Sequence, residues 1–190
     1  QAPIIGAVIG LVFKPGATLI ERAGTESQAT FMLVISAIWF GCLNAARGVV
    51  KERPVYLRER SVNLGIGPYL ASKVVPLAAL CAVQCVVMLA VVSTLLSIPG
   101  SFSMRAAALL LSALAAPALG LTVSALVTST DKAAATIPIL LIPQVVLSNA
   151  IVSLEGVTKT VAKASMISYW SFDAMKATLA DEVRAATDMT

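Results

Sequence analysis

The sequence predicts an all-α fold, a polytopic transmembrane helix bundle, on three observations. Residues 27–46, 74–104, 106–130 and 133–154 hold no Asp, Glu, Lys or Arg, and each exceeds the roughly 17 residues needed to cross a hydrocarbon core. One charge at the centre of a spanning helix costs about 2.5–3.5 kcal/mol, so four such intervals mark four complete spans. Composition agrees: 58% of the 190 residues are hydrophobic, 13% are charged and mean hydropathy is +0.88, against roughly 25% charged in a soluble domain. Finally, the basic residues are distributed as the positive-inside rule demands. The segments around 47–73 and 131–132 carry Arg47, Lys51, Arg53, Arg58, Arg60, Lys73 and Lys132 against Glu52, Glu59 and Asp131, so the whole net charge of +4 falls on one side, expected to be cytoplasmic.

The chain opens with 13 uncharged residues before Lys14, too few to span, and reads as the end of an incomplete first helix. A cleaved signal would want basic residues before its apolar core. Residues 14–27 (KPGATLIERAGTES) read as a polar outer connection, and Gln28 to Ala46 as the second helix. Ser36, Phe40 and Asn44 recur every four positions there and share one helix face, which serves either packing between helices or a cavity wall.

The segment KERPVYLRER at residues 51–60 separates the second and third spans. Together with the residues to Gly65 it can form a short helix, with Pro54 suited to the start and Gly65 to the end. Val55, Tyr56, Glu59 and Val62 would give it an apolar side with a carboxylate at the margin. A basic loop binding anionic lipid heads explains the cations but not Glu52, Glu59 or the Pro-aromatic core. An element docking on a soluble partner is the other reading, and residue types alone leave both open.

The third span carries Cys81, Cys85 and Gln84. Its outer hairpin falls at Ile98-Pro99-Gly100-Ser101, and a tight inner turn at Thr128 to Lys132 joins the fourth and fifth spans. In the alanine-rich fourth span Ser112, Ala116, Gly120 and Ser124 line one face, which favours close approach of another helix within the same subunit, and Pro117 is expected to bend it. The last stretch, 155–190, is too polar to span. Met166, Ile167, Tyr169, Trp170 and Phe172 place a helix over about 157–180 at the outer interface, where amphipathic rings prefer to lie. The region from 1 to 190 reads as a single transmembrane domain.

Several classes of function are excluded. With no histidine in the chain and no carboxylate at membrane depth, His-based metal sites and Ser/His/Asp triads cannot form. A pI near 9.2 without aromatic interleaving of the cations is topology rather than nucleic-acid binding. The three cysteines give no disulfide framework. The chain reads as no enzyme.

The stretch FGCLNAARGVVKERPVYLRERSVNLGIGPYLASK (residues 40–73) resembles the second helix, coupling helix and start of the third helix of type-2 ABC exporter permeases, in particular G-subfamily-like ones. IPQVVLSNAIVSL (142–154) and SYWSFDAM (168–175) resemble that family's fifth helix and the segment before its last helix. The resemblance implies a six-helix permease, of which five helices are present here, the first incomplete and the last absent. It implies a cytoplasmic coupling helix at about 51–63, with Glu52, Arg53, Pro54, Tyr56, Arg58 and Glu59 facing an ATP-binding cassette domain. It implies a substrate cavity lined by Ser36, Phe40, Asn44, Ile142 and Val145, and an apolar plug at Ala150 and Ile151. It further implies a second permease copy in a dimer, contact with membrane lipids, residence in the plasma (inner) membrane, and ATP and Mg held on the partner domain, with no cofactor on this chain. No phosphate-cradling loop ending in Gly-Lys-Ser/Thr occurs in it.

The expected function is the permease part of an ATP-driven exporter that moves a neutral or lipophilic cargo by alternating access. The alternative is a structural or assembly subunit that transports nothing. A channel would want a ring-forming charged filter, and none is visible.

Overall fold

A computed structural model describes residues 1–13, 19–60, 65–96, 101–151 and 154–179, and every regular element among them is helical. In chain order these are α1 (Ala2–Val12), α2 (Leu19–Ala45), a 3-10 turn η1 (Val50–Glu52) running into α3 (Arg53–Arg60), α4 (Ile66–Leu96), α5 (Phe102–Leu126), α6 (Thr130–Val146), α7 (Gly156–Ser165) and α8 (Ile167–Lys176). Three stretches among the described residues are long and apolar enough to cross a membrane: Glu21–Glu59, which contains most of α2, then α4 and α5. The expected hairpin at 98–100, the end of the coupling helix at 61–63 and the tail beyond Leu179 lie outside the described residues.

The centre of the bundle is α2 against α5. Leu33, Val34, Ala37 and Ile38 of α2 meet Leu109, Ala113 and Ala116 of α5 in a core that also takes Met88 and Leu89 of α4 and Met175 of α8. The stripe of small residues on α5 explains how close the two backbones come. A Cβ on Gly120 would stand 2.5 Å from the Cys42 carbonyl, and one on Gly41 would stand 2.6 Å from the Ala116 Cβ. In lipid, where acyl chains are as apolar as leucine, such contact supplies the dispersion energy that holds helices together. The stripe is therefore a seam inside one subunit.

The same device seats α1 on α4. Cβ atoms on Gly6 and Gly10 would lie 3.1 Å from the Met88 carbonyl and 2.5 Å from Leu95, so the two glycines let this 11-residue helix pack flat. Away from α1, α2 and α5 the surface of α4 stays bare, with Val75 and Val83 more than 60% exposed. That surface is apolar enough to meet acyl chains.

Three boundaries differ from the sequence reading. Residues 19–27 are not a polar connection but the first turns of α2, and residues 14–18 lie outside the described set. The reason is that Ala23, Glu26, Ala29 and Thr30 all turn inward, and the Glu26 carboxylate, 3% exposed, lies near the Arg22 guanidinium at 3.9 Å. The fifth span stops early: α6 ends at Val146 after 17 residues, about 25 Å of rise, and the chain turns through 147–151 with Asn149 at φ 61°. Asparagine tolerates that left-handed backbone better than most residues, and its Oδ1 accepts a bond from the Leu154 amide at 2.9 Å.

The outer helix is two helices, broken at the extended Met166. The Trp170 indole donates to the Lys163 carbonyl at 2.8 Å, tying the two pieces together. Tyr169 and Phe172 turn inward, Phe172 meeting Phe31 of α2 edge-on at 5.8 Å, while Trp170 stays 54% exposed. Pro117 sits inside α5, which continues through it as helix to Leu126.

Candidate functional site

The segment after α2 folds because its backbone finds partners at once. Residues 46–49 form tight turns, with Gly48 donating to Ala45, and η1 then leads into α3, where Pro54 is the second residue and loses no bond by lacking an N–H. Polar side chains bind α3 to the first turns of α4. Lys73 pairs with Glu52, the Tyr56 and Tyr69 rings stack with centroids 4.4 Å apart, and the Lys73 ammonium lies 5.7 Å from the Tyr69 centroid. A groove of about 300 Å³ opens between the two helices, lined by Glu52, Val55, Tyr56, Glu59, Pro68, Tyr69 and Ser72.

On its other flank the segment is held by α5. The Ser124 hydroxyl accepts from the Val49 amide at 3.0 Å and from the Val50 amide at 2.9 Å. These are the leading N–H groups of η1, which lack intrahelical partners, so a side chain from another helix caps the segment. Arg53, Pro54, Val55, Leu57, Arg58 and Glu59 remain exposed. A short helix is thus clamped to two long ones and presents a mixed-charge surface away from them.

Arg105 lies nineteen residues before Ser124, the α5 residue that touches η1, and close to Glu26 of α2, so the α3 end and the Glu26 end are opposite ends of the bundle. At the latter, α8 is anchored to α6. The buried Gln144 carboxamide oxygen accepts from the Ser168 amide at 3.0 Å, and the Ser168 hydroxyl donates to the Gln144 carbonyl. The α3 helix and the α7–α8 pair therefore sit at opposite poles.

The family model of the ABC-2 type transporter matches residues 1–179. The chain belongs to the ABC-2 type transporter family. It is accordingly an integral, multi-pass membrane protein and the permease component of an ABC transporter, a transport domain without catalysis of its own. ABC-2 permease domains work with an ATP-binding cassette partner. No curated protein matches the chain.

Within this ABC-2 domain the residues singled out from sequence are placed as follows. Glu52, Tyr56 and Glu59 line the groove on α3, while Arg53, Pro54 and Arg58 lie on its exposed surface. Of the expected cavity residues, Phe40 is 5% exposed and packs in the core, Ser36 is half-buried, and Ile142 is 60% exposed with Val145 half-buried beside it. Asn44 donates to Gln84 of α4 at 3.0 Å, which gives that face a packing role. Ala150 and Ile151 fall in the turn after α6, with Ile151 59% exposed. Two contacts that hold these elements escaped the sequence reading: the Ser124 cap and the Gln144 anchor. The fourfold recurrence ending at Ser124 was the one signal that could have pointed to the first.

Proposed function

We propose that this permease is the membrane half of an ATP-driven exporter, G-subfamily-like, working as a dimer with a fused or associated ATP-binding domain. Residues 47–73 face the cytoplasm of a plasma (inner) membrane, and α3 is the coupling helix. Closure of the ATP-binding domains pushes α3, and α2 with α6 re-aims the cavity. Ile142, exposed in a single protomer, and the half-buried Val145 face the second copy across that cavity, together with Ser36, and Ala150 and Ile151 form the plug beyond them. The cargo is neutral or lipophilic, since the intervals 27–46 and 133–154, which hold every residue assigned to the cavity, carry no formal charge. ATP and Mg belong to the partner.

The observation that carries this reading is the double attachment of α3 to α4 and α5 with its charged face left open. A loop whose only task is to hold lipid heads needs no such fixation. The test is Tyr56→Ala and Glu59→Gln in the full-length protein, with ATP hydrolysis and export of a fluorescent amphiphile measured together in vesicles. Export per ATP hydrolysed is expected to drop in both variants, and an unchanged ratio would remove the role assigned to α3. Absence of export by the unsubstituted pair while ATP hydrolysis proceeds favours a non-transporting subunit.

A further inference from the structure

The four-residue recurrence on α5 does not end as it begins. Ala116 and Gly120 are small so that α2 can touch the α5 backbone, whereas Ser124, 1% exposed, does chemical work with its oxygen. Its hydroxyl accepts two successive amides, of Val49 and Val50, at 3.0 and 2.9 Å. Both amides belong to the first turn of the η1–α3 segment, and Val50 itself is buried. An alanine there would leave two N–H groups away from water without an acceptor, which is costlier than losing one ordinary bond.

We propose that Ser124 is the positioning residue through which a push on α3 reaches α5. This rests on the reading of α3 as the coupling helix. The pathway has two rigid parts. One is the cap itself, which fixes η1 to the last turn of α5. The other is the seam at Gly120 and Gly41, where an added Cβ would stand 2.5 Å from the Cys42 carbonyl and 2.6 Å from the Ala116 Cβ, so that α2 and α5 pack backbone against backbone. Force entering at α3 therefore reaches α5 through the cap and α2 through the seam, by a route separate from the contacts of Glu52 with Lys73 and of Tyr56 with Tyr69 that join the segment to α4.

The experiment uses the full-length permease with its ATP-binding partner in phosphatidylcholine nanodiscs. Spin labels are placed at Leu57 on α3 and Met104 at the far end of α5, both exposed, whereas Cys42, Cys81 and Cys85 are buried. In the otherwise native protein and in Ser124→Thr, trapping with ATP and vanadate is expected to leave the separation of the labels unchanged. In Ser124→Ala the distribution is expected to widen and its maximum to shift on trapping. Hydrogen exchange at the Val49 and Val50 amides is expected to quicken about tenfold in Ser124→Ala and to stay slow in Ser124→Thr.

A separation that changes on trapping in the native protein, or one that stays fixed in Ser124→Ala, overturns the proposal. So does fast exchange at both amides in the unsubstituted chain, a result that needs no variant to fold. If Tyr56→Ala still uncouples export from hydrolysis while Ser124→Ala leaves the labels fixed, only the transmission route fails. If neither variant has any effect, the coupling role of α3 fails with it.

Discussion

The Asn44 side chain of α2 donates from Nδ2 to Oε1 of Gln84 on α4 across 3.0 Å, a polar bridge between two spans. Lipid offers no substitute partner for either group, yet the measured worth of such bonds is modest because the unfolded helices find other partners. Asn44→Leu is expected to destabilise the bundle by about 0.6–2 kcal/mol, and the pair Asn44→Leu with Gln84→Leu to cost less than the sum of its parts. Reversible unfolding in mixed micelles, analysed as a double-mutant cycle, checks this.

Gly120 and Gly24 make a matched comparison. At Gly120 an added methyl meets the Cys42 carbonyl, which is backbone and cannot swing away, whereas at Gly24 nothing lies within 4 Å. Gly120→Ala is expected to lower stability by about 1–3 kcal/mol through overpacking. Gly24→Ala is expected to raise it by about 0.5–1 kcal/mol, the ordinary gain of alanine over glycine in a helix. Thermal aggregation midpoints of the two detergent-solubilised variants give the sign of each.

Glu26 and Arg105 are each 3% exposed and lie near one another at the end of the bundle away from α3. Removing one member of a buried charge pair is worse than removing both, since the survivor keeps its desolvation cost. Arg105→Met is expected to cost about 3–5 kcal/mol, and Glu26→Gln added to it to recover a large part of that loss. Expression level and denaturant midpoint of the single and double variants decide the matter.

Gln144 fixes α8 through two bonds to Ser168. Gln144→Leu leaves the Ser168 amide without its acceptor, so α7 and α8 are expected to loosen while α2 and α5 keep their packing. Limited proteolysis should then cut within 156–176 sooner than in the parent, with the spans still protected. Equal cleavage rates would count against the anchor.

Much of the architecture could be read from charge alone, because lipid punishes a charge wherever it is left bare. The intervals 74–104 and 106–130 contain most of α4 and α5, and the turn at Thr128 to Lys132 lies between α5 and α6, where Ser129 caps the new helix by accepting from Lys132. The same logic failed at Glu26, since a carboxylate next to cations can enter the interior, and a rule that counts charges does not see their neighbours. It failed at the end of α6 too, where 147–154 is apolar but turns at Asn149. The candidate site was legible to the same extent. The mixed charges and proline of residues 51–60 marked α3, but the grip of Ser124 on Val49 and Val50 joins positions some 75 apart in the chain, and no local pattern encodes that.

Gly6 and Gly10 have a consequence for how the protein meets its solvent. Shaved to the backbone at these two positions, α1 lies close against Met88 and Leu95 of α4, so a tilt of α4 would carry α1 with it and leave the acyl chains along this edge facing the same pair of helices.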